Sequence, residues 1–197
     1  MSRHLLIAGA CIAALSLAAC GQKADPAATD TAVATDQAAM PAADVAPAAP
    51  AAVTMASDFV PMAAASDMFE IEAAKVAQTK STNAEVKKFA AEMIAAHTKS
   101  SADLKKAIAD SGQTMTPPTA LPADKQAMLD SLKAADAAGF DKMYVDGQVA
   151  AHQEALNLMQ GYADGGDVPA IKAFATATAP VVKGHHDMAK MMADKMM

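Results

Sequence analysis

Four histidines stand beyond the first ten residues, and three of them keep the spacing of their apolar neighbours. His97 falls on the series Val86, Phe89, Met93, Leu104, Ile108. His152 falls on Val145, Val149, Leu156, Met159, and His185 on Ile171, Phe174, Thr178, Val181, Met188, Met192. Steps of three and four mark one face of a helix, so each of these imidazoles is expected on a core seam. His186, one residue further on, is turned about 100° away. An earlier stretch puts Glu70 on one face with Phe59, Ala63, Ser66, Ala73 and Ala77. Three imidazoles and one carboxylate suit Zn, Cu, Ni or Fe in a four-coordinate or open five-coordinate site. The candidate ligands are therefore Glu70, His97, His152 and His185. The competing reading of the same four residues is a metal-free hydrogen-bond network that fixes helix register in a structural or interaction module. Dinuclear carboxylate chemistry needs Glu-x-x-His pairs, and Ile94, Val149 and Val182 occupy those positions. No Ser/His/Asp or Cys/His arrangement for nucleophilic catalysis is recoverable. A non-enzymatic binding role leads, and an oxidoreductase would need an open coordination position.

The elements that must carry these residues follow from the composition after Ser57, where windows rich in Ala, Leu, Met, Lys and Glu show helical periodicity and no β-branched alternation. Residues 57–197 are expected to form an all-α domain. A first long helix runs from Asp58, its N-cap, to about residue 79. A second starts at Thr82, where Thr82-Asn83-Ala84-Glu85 reads as a capping box, and ends near residue 111 before Gly112. Pro117, Pro118 and Pro122 impose an irregular connection, followed by a short helix over about 123–135. A third long helix covers about 137–163, stopped by Gly165-Gly166; Asp167 is expected to cap the fourth, with Pro169 in its first turn and a kink at Pro180. Two short loops make antiparallel hairpins, whereas roughly 25 residues between the second and third long helices suffice to travel back along the bundle. The expected fold is a ferritin-like four-helix bundle with a long crossover containing a short extra helix. An up-and-down bundle with that helix laid across one end is the alternative. At 1.5 Å per residue, Glu70 and His97 differ in height by roughly 5 Å, and His152 and His185 by roughly 7 Å, so all four can meet near mid-bundle.

The amino terminus reads MSRHLLIAGACIAALSLAAC, in which Arg3 and His4 precede an apolar run over 5–19 that is too short to span a membrane. This is the pattern of a secretory signal over residues 1–19. Leu17-Ala18-Ala19-Cys20 resembles a bacterial lipobox, which implies an acylated Cys20 as first residue of the mature protein. Gly21 in the next position implies an outer-membrane lipoprotein facing the periplasm. Cys11 leaves with the signal and Cys20 is blocked, so no disulfide framework is expected. Residues 20–56 are dominated by Ala, Pro, Asp and Thr, carry no aromatic side chain and are interrupted by Pro26, Pro41, Pro47 and Pro50. They read as a disordered tether spanning on the order of 35 Å. Loss of Arg3 leaves 15 lysines against 22 acidic residues, a net charge of about −7, which argues against nucleic acid as a partner. The membrane, reached through the lipid, is the expected partner, and the sequence specifies no protein partner. The last ten residues hold five methionines; Met188 and Met192 continue the core seam, while Met191 and Met197 fall off it.

Several stretches together carry a resemblance. They are Phe69-Glu70-Ile71-Glu72; Val86-Lys87-Lys88-Phe89-Ala90-Ala91-Glu92-Met93-Ile94-Ala95-Ala96-His97-Thr98; Phe140-Asp141-Lys142-Met143-Tyr144; His152; and Phe174-Ala175 with Pro180 and His185. Over about 58–190 the chain resembles the bacterial domain of unknown function 4142, a ferritin-like family. The resemblance implies an envelope protein built on a helical bundle, and it brings no settled activity with it. Members usually carry an aspartate just before the histidine of the second long helix, where this chain has Ala96, so no second carboxylate is expected there. Asp141 and Tyr144 belong to the matching set. Tyr144 reads as a redox or proton partner, or as a packed aromatic beside a helix-start carboxylate at Asp141.

Overall fold

Five helices run through residues 52–197, the part of the chain that the computed structural model describes: α1 (Ala56–Lys80), α2 (Ala84–Asp110), α3 (Ala123–Ala134), α4 (Ala137–Gly165) and α5 (Pro169–Lys195). The signal over 1–19, Cys20 and the tether up to residue 51 lie outside the described residues. Among those described there is no strand, and no helix is long and apolar enough to cross a membrane.

Local chemistry sets most boundaries. Asn83, not Thr82, caps α2: its side-chain oxygen accepts from Glu85 N at 2.8 Å and from Val86 N at 3.5 Å. Asparagine ranks above threonine as an N-cap, and the expected start moves by one residue. Gly112, at φ 66°, takes the left-handed conformation that ends α2. Asp136 caps α4 by accepting from Gly139 N at 2.7 Å. Two expectations are corrected. α1 begins at Ala56 rather than at Asp58, and α5 follows Val168 with no side-chain cap, because the carboxylate of Asp167 is used elsewhere. The helix assignment of α5 continues through Pro180, and Thr176, whose carbonyl Pro180 cannot bond, is exposed.

Ion pairs and end contacts fix the topology. The α1 C-terminus meets the α4 N-terminus, where Lys80 Nζ donates to Ala135 O at 2.7 Å, and the α1 N-terminus meets the α4–α5 turn, where Ala56 N donates to Asp167 Oδ1 at 2.8 Å. Lys195 at the end of α5 pairs with Glu85 at the start of α2 at 3.3 Å. Helices α1/α4 and α2/α5 are thus antiparallel neighbours, α2 and α4 are parallel, and the 111–136 connection runs the length of the bundle. This is the ferritin-like arrangement, with α3 of the crossover packed on α1 and α4.

Apolar side chains form two blocks. One, near the α4–α5 turn, includes Phe59, Leu104, Met159, Tyr162, Ile171 and Phe174. The other, near the α1–α2 turn, includes Phe69, Phe89, Met93, Phe140, Tyr144 and Met192. Between them lies a buried polar layer of Asp67, Glu70, His97, Gln148, His152 and His185. On α5, Val182 faces inward and Val181 is exposed, one residue out of the expected stripe. Met192 is buried and Met188 packs against the second block, whereas Met191 and Met197 are exposed, as their spacing predicts.

Residues 52–55, which the sequence assigns to the tether, belong to the fold. Val53 packs on the core, and Asp167 N donates to Thr54 O at 3.0 Å. Gly161 and Gly165 permit the approach: a Cβ on Gly165 would lie 2.8 Å from Thr54 Cγ2. Asp167 Oδ1 also accepts from Tyr162 Oη at 2.8 Å, so one carboxylate ties the chain entry to the α4–α5 turn. Asp167→Ala should raise the rate of thermolysin cleavage between 52 and 58 several-fold while the rest of the domain stays resistant. Equal rates in both proteins would mean that Val53 burial alone holds the segment.

Candidate metal centre

The polar layer brings His97 from α2, His152 from α4 and His185 from α5 into one cluster. One ring nitrogen from each lies within 4.8 Å of its counterparts, and ring centroids are 5.5–5.7 Å apart. All three side chains are buried, His185 least so at 8% exposed. His97 Nδ1 bonds the Asp67 carboxylate at 2.8 Å, and Ser101 Oγ donates to the other Asp67 oxygen at 3.3 Å. His152 Nδ1 donates to Gln148 O at 3.0 Å. These bonds fix both rings by the nitrogen they engage. His97 Nε2, His152 Nε2 and His185 Nδ1 are left buried without a hydrogen-bond partner among the described residues.

Glu70, the fourth candidate, is buried in the same layer but stands outside the trio. Its Oε2 accepts from Gln148 Nε2 at 2.6 Å, and its Oε1 lies 3.9 Å from His152 Nδ1, the nitrogen already engaged with backbone. The carboxylate in direct contact with a histidine is Asp67, which the sequence reading passed over. Its signal was present: Asp67 precedes Glu70 by three residues and so shares its helix face. Gln148, four residues before His152 on the same face, was likewise legible and was missed. His186 is off the cluster, with Nδ1 3.6 Å from Asp187. Tyr144 is fully buried, stacked on Phe140 and edge-on to Phe89, and Asp141 sits in the second turn of α4 rather than at its start.

Charge in the layer is uneven. Burial opposes protonation of His97, but the Asp67 hydrogen bond and the fields of Glu70 and Asp67 outweigh it and raise its pKa. Burial, then His97 and His185, push His152 down to about 3; burial and His97 push His185 down to about 4. Burial raises Glu70 against the opposing pull of His97 and Gln148. Histidines held below their unfolded value, about 6.5, take up protons more readily when unfolded, so their contribution is present above that pH and lost on acidification. His97 and Glu70 act in the opposite sense and reduce the net effect. The depressed pair, His152 and His185, stands against the raised pair, His97 and Glu70, so the urea midpoint of metal-free protein at pH 5 and pH 7.5 reads the balance. A lower midpoint at pH 5 is expected where the depressed pair prevails, and a higher one means that His97 and Glu70 dominate.

Fold and layer together define a class: a helical bundle whose apolar core is divided at mid-height by three converging histidines. A family described as a domain of unknown function (DUF4142) matches residues 40–192, and the chain belongs to that family. No curated protein and no solved structure matches it significantly.

Proposed function

We propose that this protein is a lipid-anchored protein of the cell envelope that holds one transition-metal ion in its bundle core through His97, His152 and His185. The observation carrying the proposal is that three buried imidazoles from three helices each bring a ring nitrogen within 4.8 Å of the others, in a layer where His97 Nε2, His152 Nε2 and His185 Nδ1 have no hydrogen-bond partner among the described residues. Ligand nitrogens at 2.0–2.1 Å from a tetrahedral ion lie roughly 3.4 Å apart, so the most distant pair closes by about 1.4 Å on binding. The outer bonds from His97 to a carboxylate and from His152 to a backbone carbonyl are those that orient metal-bound imidazoles. Three imidazoles suit Zn, Cu, Ni or Fe and leave a fourth position for water or an exogenous ligand. A metal-free network accounts for the Asp67–His97 and Gln148–Glu70 bonds. It leaves His97 Nε2, His152 Nε2 and His185 Nδ1 unsatisfied, at about 1–3 kcal/mol for each buried polar atom.

Elemental analysis of a soluble form lacking residues 1–46, prepared without a histidine tag, tests the proposal; what is left is one compact unit. One equivalent of metal, or a higher melting temperature on adding Zn, Cu, Ni or Fe salts, is the expected result. Neither effect with any of the four would sink it. The anchor is tested separately: Cys20→Ser should leave the protein unprocessed or soluble, since stable attachment needs the acyl chains. A mature-length protein still bound to membranes would contradict the lipid anchor.

A further inference from the structure

The crossover covers one side of the bundle, where α3 packs on α1 and α4. On the other side α2 and α5 border an open groove of about 470 Å³. Its α5 wall is small and apolar, built from Ala170, Ala173, Ala177 and Val181. Val181 is 49% exposed, and among the described residues it is the one exposed large apolar side chain that is not a methionine. The α2 wall carries four exposed charges, Lys99, Asp103, Lys106 and Asp110. They pair along the helix, Lys99 with Asp103 and Lys106 with Asp110.

We propose that this face docks a second copy of the same chain, with the two α2 helices antiparallel about a two-fold axis that passes between Leu104 and Lys105. An interface of that symmetry uses one surface twice, so the surface must be complementary to itself. The order plus, minus, plus, minus along α2 has this property. Turning one helix end for end sets Lys99 opposite the partner's Asp110 and Asp103 opposite the partner's Lys106. Lys99 and Asp110 each stand five and a half residues from the axis, and Asp103 and Lys106 one and a half. At 1.5 Å per residue the opposed charges therefore meet at equal heights, roughly 8 Å and roughly 2 Å from the axis. Each α2 then lies along the other copy's groove, where the small side chains of α5 permit close approach of the helices and Val181 loses its exposure to water. The apolar wall supplies attraction, and the charges fix register and direction. The same order of charges recurs on α5 at Lys183, Asp187, Lys190 and Asp194, but none of these lines the groove. That strip provides a control of equal charge away from the proposed interface.

Sedimentation velocity of the soluble form lacking residues 1–46 tests the proposal. The wild type should dimerise with a dissociation constant on the order of 1–10 μM, weakened by a factor of about 3–10 when salt is raised to about 0.5 M. Lys99→Glu combined with Lys106→Glu makes the rim uniformly acidic and should weaken the dimer by more than about 100-fold, as should Asp103→Lys combined with Asp110→Lys, which makes it uniformly basic. An equimolar mixture of these two variants should form a heterodimer, a recovery that a folding defect in either would not allow. Lys183→Glu combined with Lys190→Glu changes the net charge by the same amount as the first variant and should dimerise like the wild type. A wild type that stays monomeric up to about 100 μM would overturn the proposal. Dimers that survive in both rim variants, or that are lost equally in the α5 control, would overturn the choice of face. Failure of the mixture to associate would overturn the antiparallel pairing of charges.

Discussion

His185→Ala should lower metal affinity by more than 100-fold, whereas His186→Ala should leave it within a factor of about two. The two residues are adjacent in sequence but separated by about 100° on α5. Only His185 joins the cluster, while His186 sits beside Asp187. Structural zinc sites gain on the order of 10–16 kcal/mol, so each of a few ligands contributes about 3 kcal/mol or more. Isothermal titration with competing chelator reads the difference directly. Equal losses from the two variants would move the site to the exposed end of α5. Met191 and Met197 supply a control: both are exposed, and replacing both with leucine should change nothing. If that pair proved necessary for Cu(I) or Ag(I), thioether capture by the tail would displace the core site as the explanation.

Helical periodicity made the positions of the three histidines legible because an imidazole at a core position continues the apolar spacing. All of Val86, Phe89, Met93, Leu104 and Ile108 are buried on the face of α2 that carries His97. Counting heights from the hairpin loops then put three helices' residues at one level, which the polar layer between the two apolar blocks bears out. Pairing was harder to read. Periodicity gives a side chain's face and height but not its partner, and Glu70 at the correct height turned its carboxylate to Gln148 instead of to the cluster. Asp167 shows the same limit at a helix end. Its place before Pro169 predicts a cap for α5, yet the backbone that comes within reach is Ala56, 111 residues earlier in the chain. No local rule contains that contact, since it exists only once the α1 N-terminus lies against the α4–α5 turn. Residues 52–55 escaped for a related reason: composition alone assigns Ala52-Val53-Thr54-Met55 to a tether, and only the close approach permitted by Gly161 and Gly165 brings them onto the bundle.

Asp67→Asn should reduce metal affinity by roughly 10–100-fold while Glu70→Gln reduces it far less. Asp67 holds His97 by Nδ1, and its negative charge makes the opposite nitrogen a better donor to a cation. Asparagine can still accept the Nδ1–H bond, so the tautomer and ring orientation are kept and only the electrostatic contribution is lost. Asp67→Ala removes both and leaves His97 Nδ1 buried without a partner, at a cost to folding of about 1–3 kcal/mol in the metal-free protein. Comparing Asn with Ala by chelator competition and by urea denaturation therefore separates the charge from the hydrogen bond. Glu70 reaches the cluster only at second hand, through Gln148 and past the engaged nitrogen of His152, so neutralising it acts on a ligand's surroundings from further away. The opposite ranking, with Glu70→Gln as damaging as loss of a histidine and Asp67→Asn silent, would mean that Glu70 rotates away from Gln148 to coordinate the ion. The four-ligand site suggested by helical spacing alone would then replace the three-histidine site.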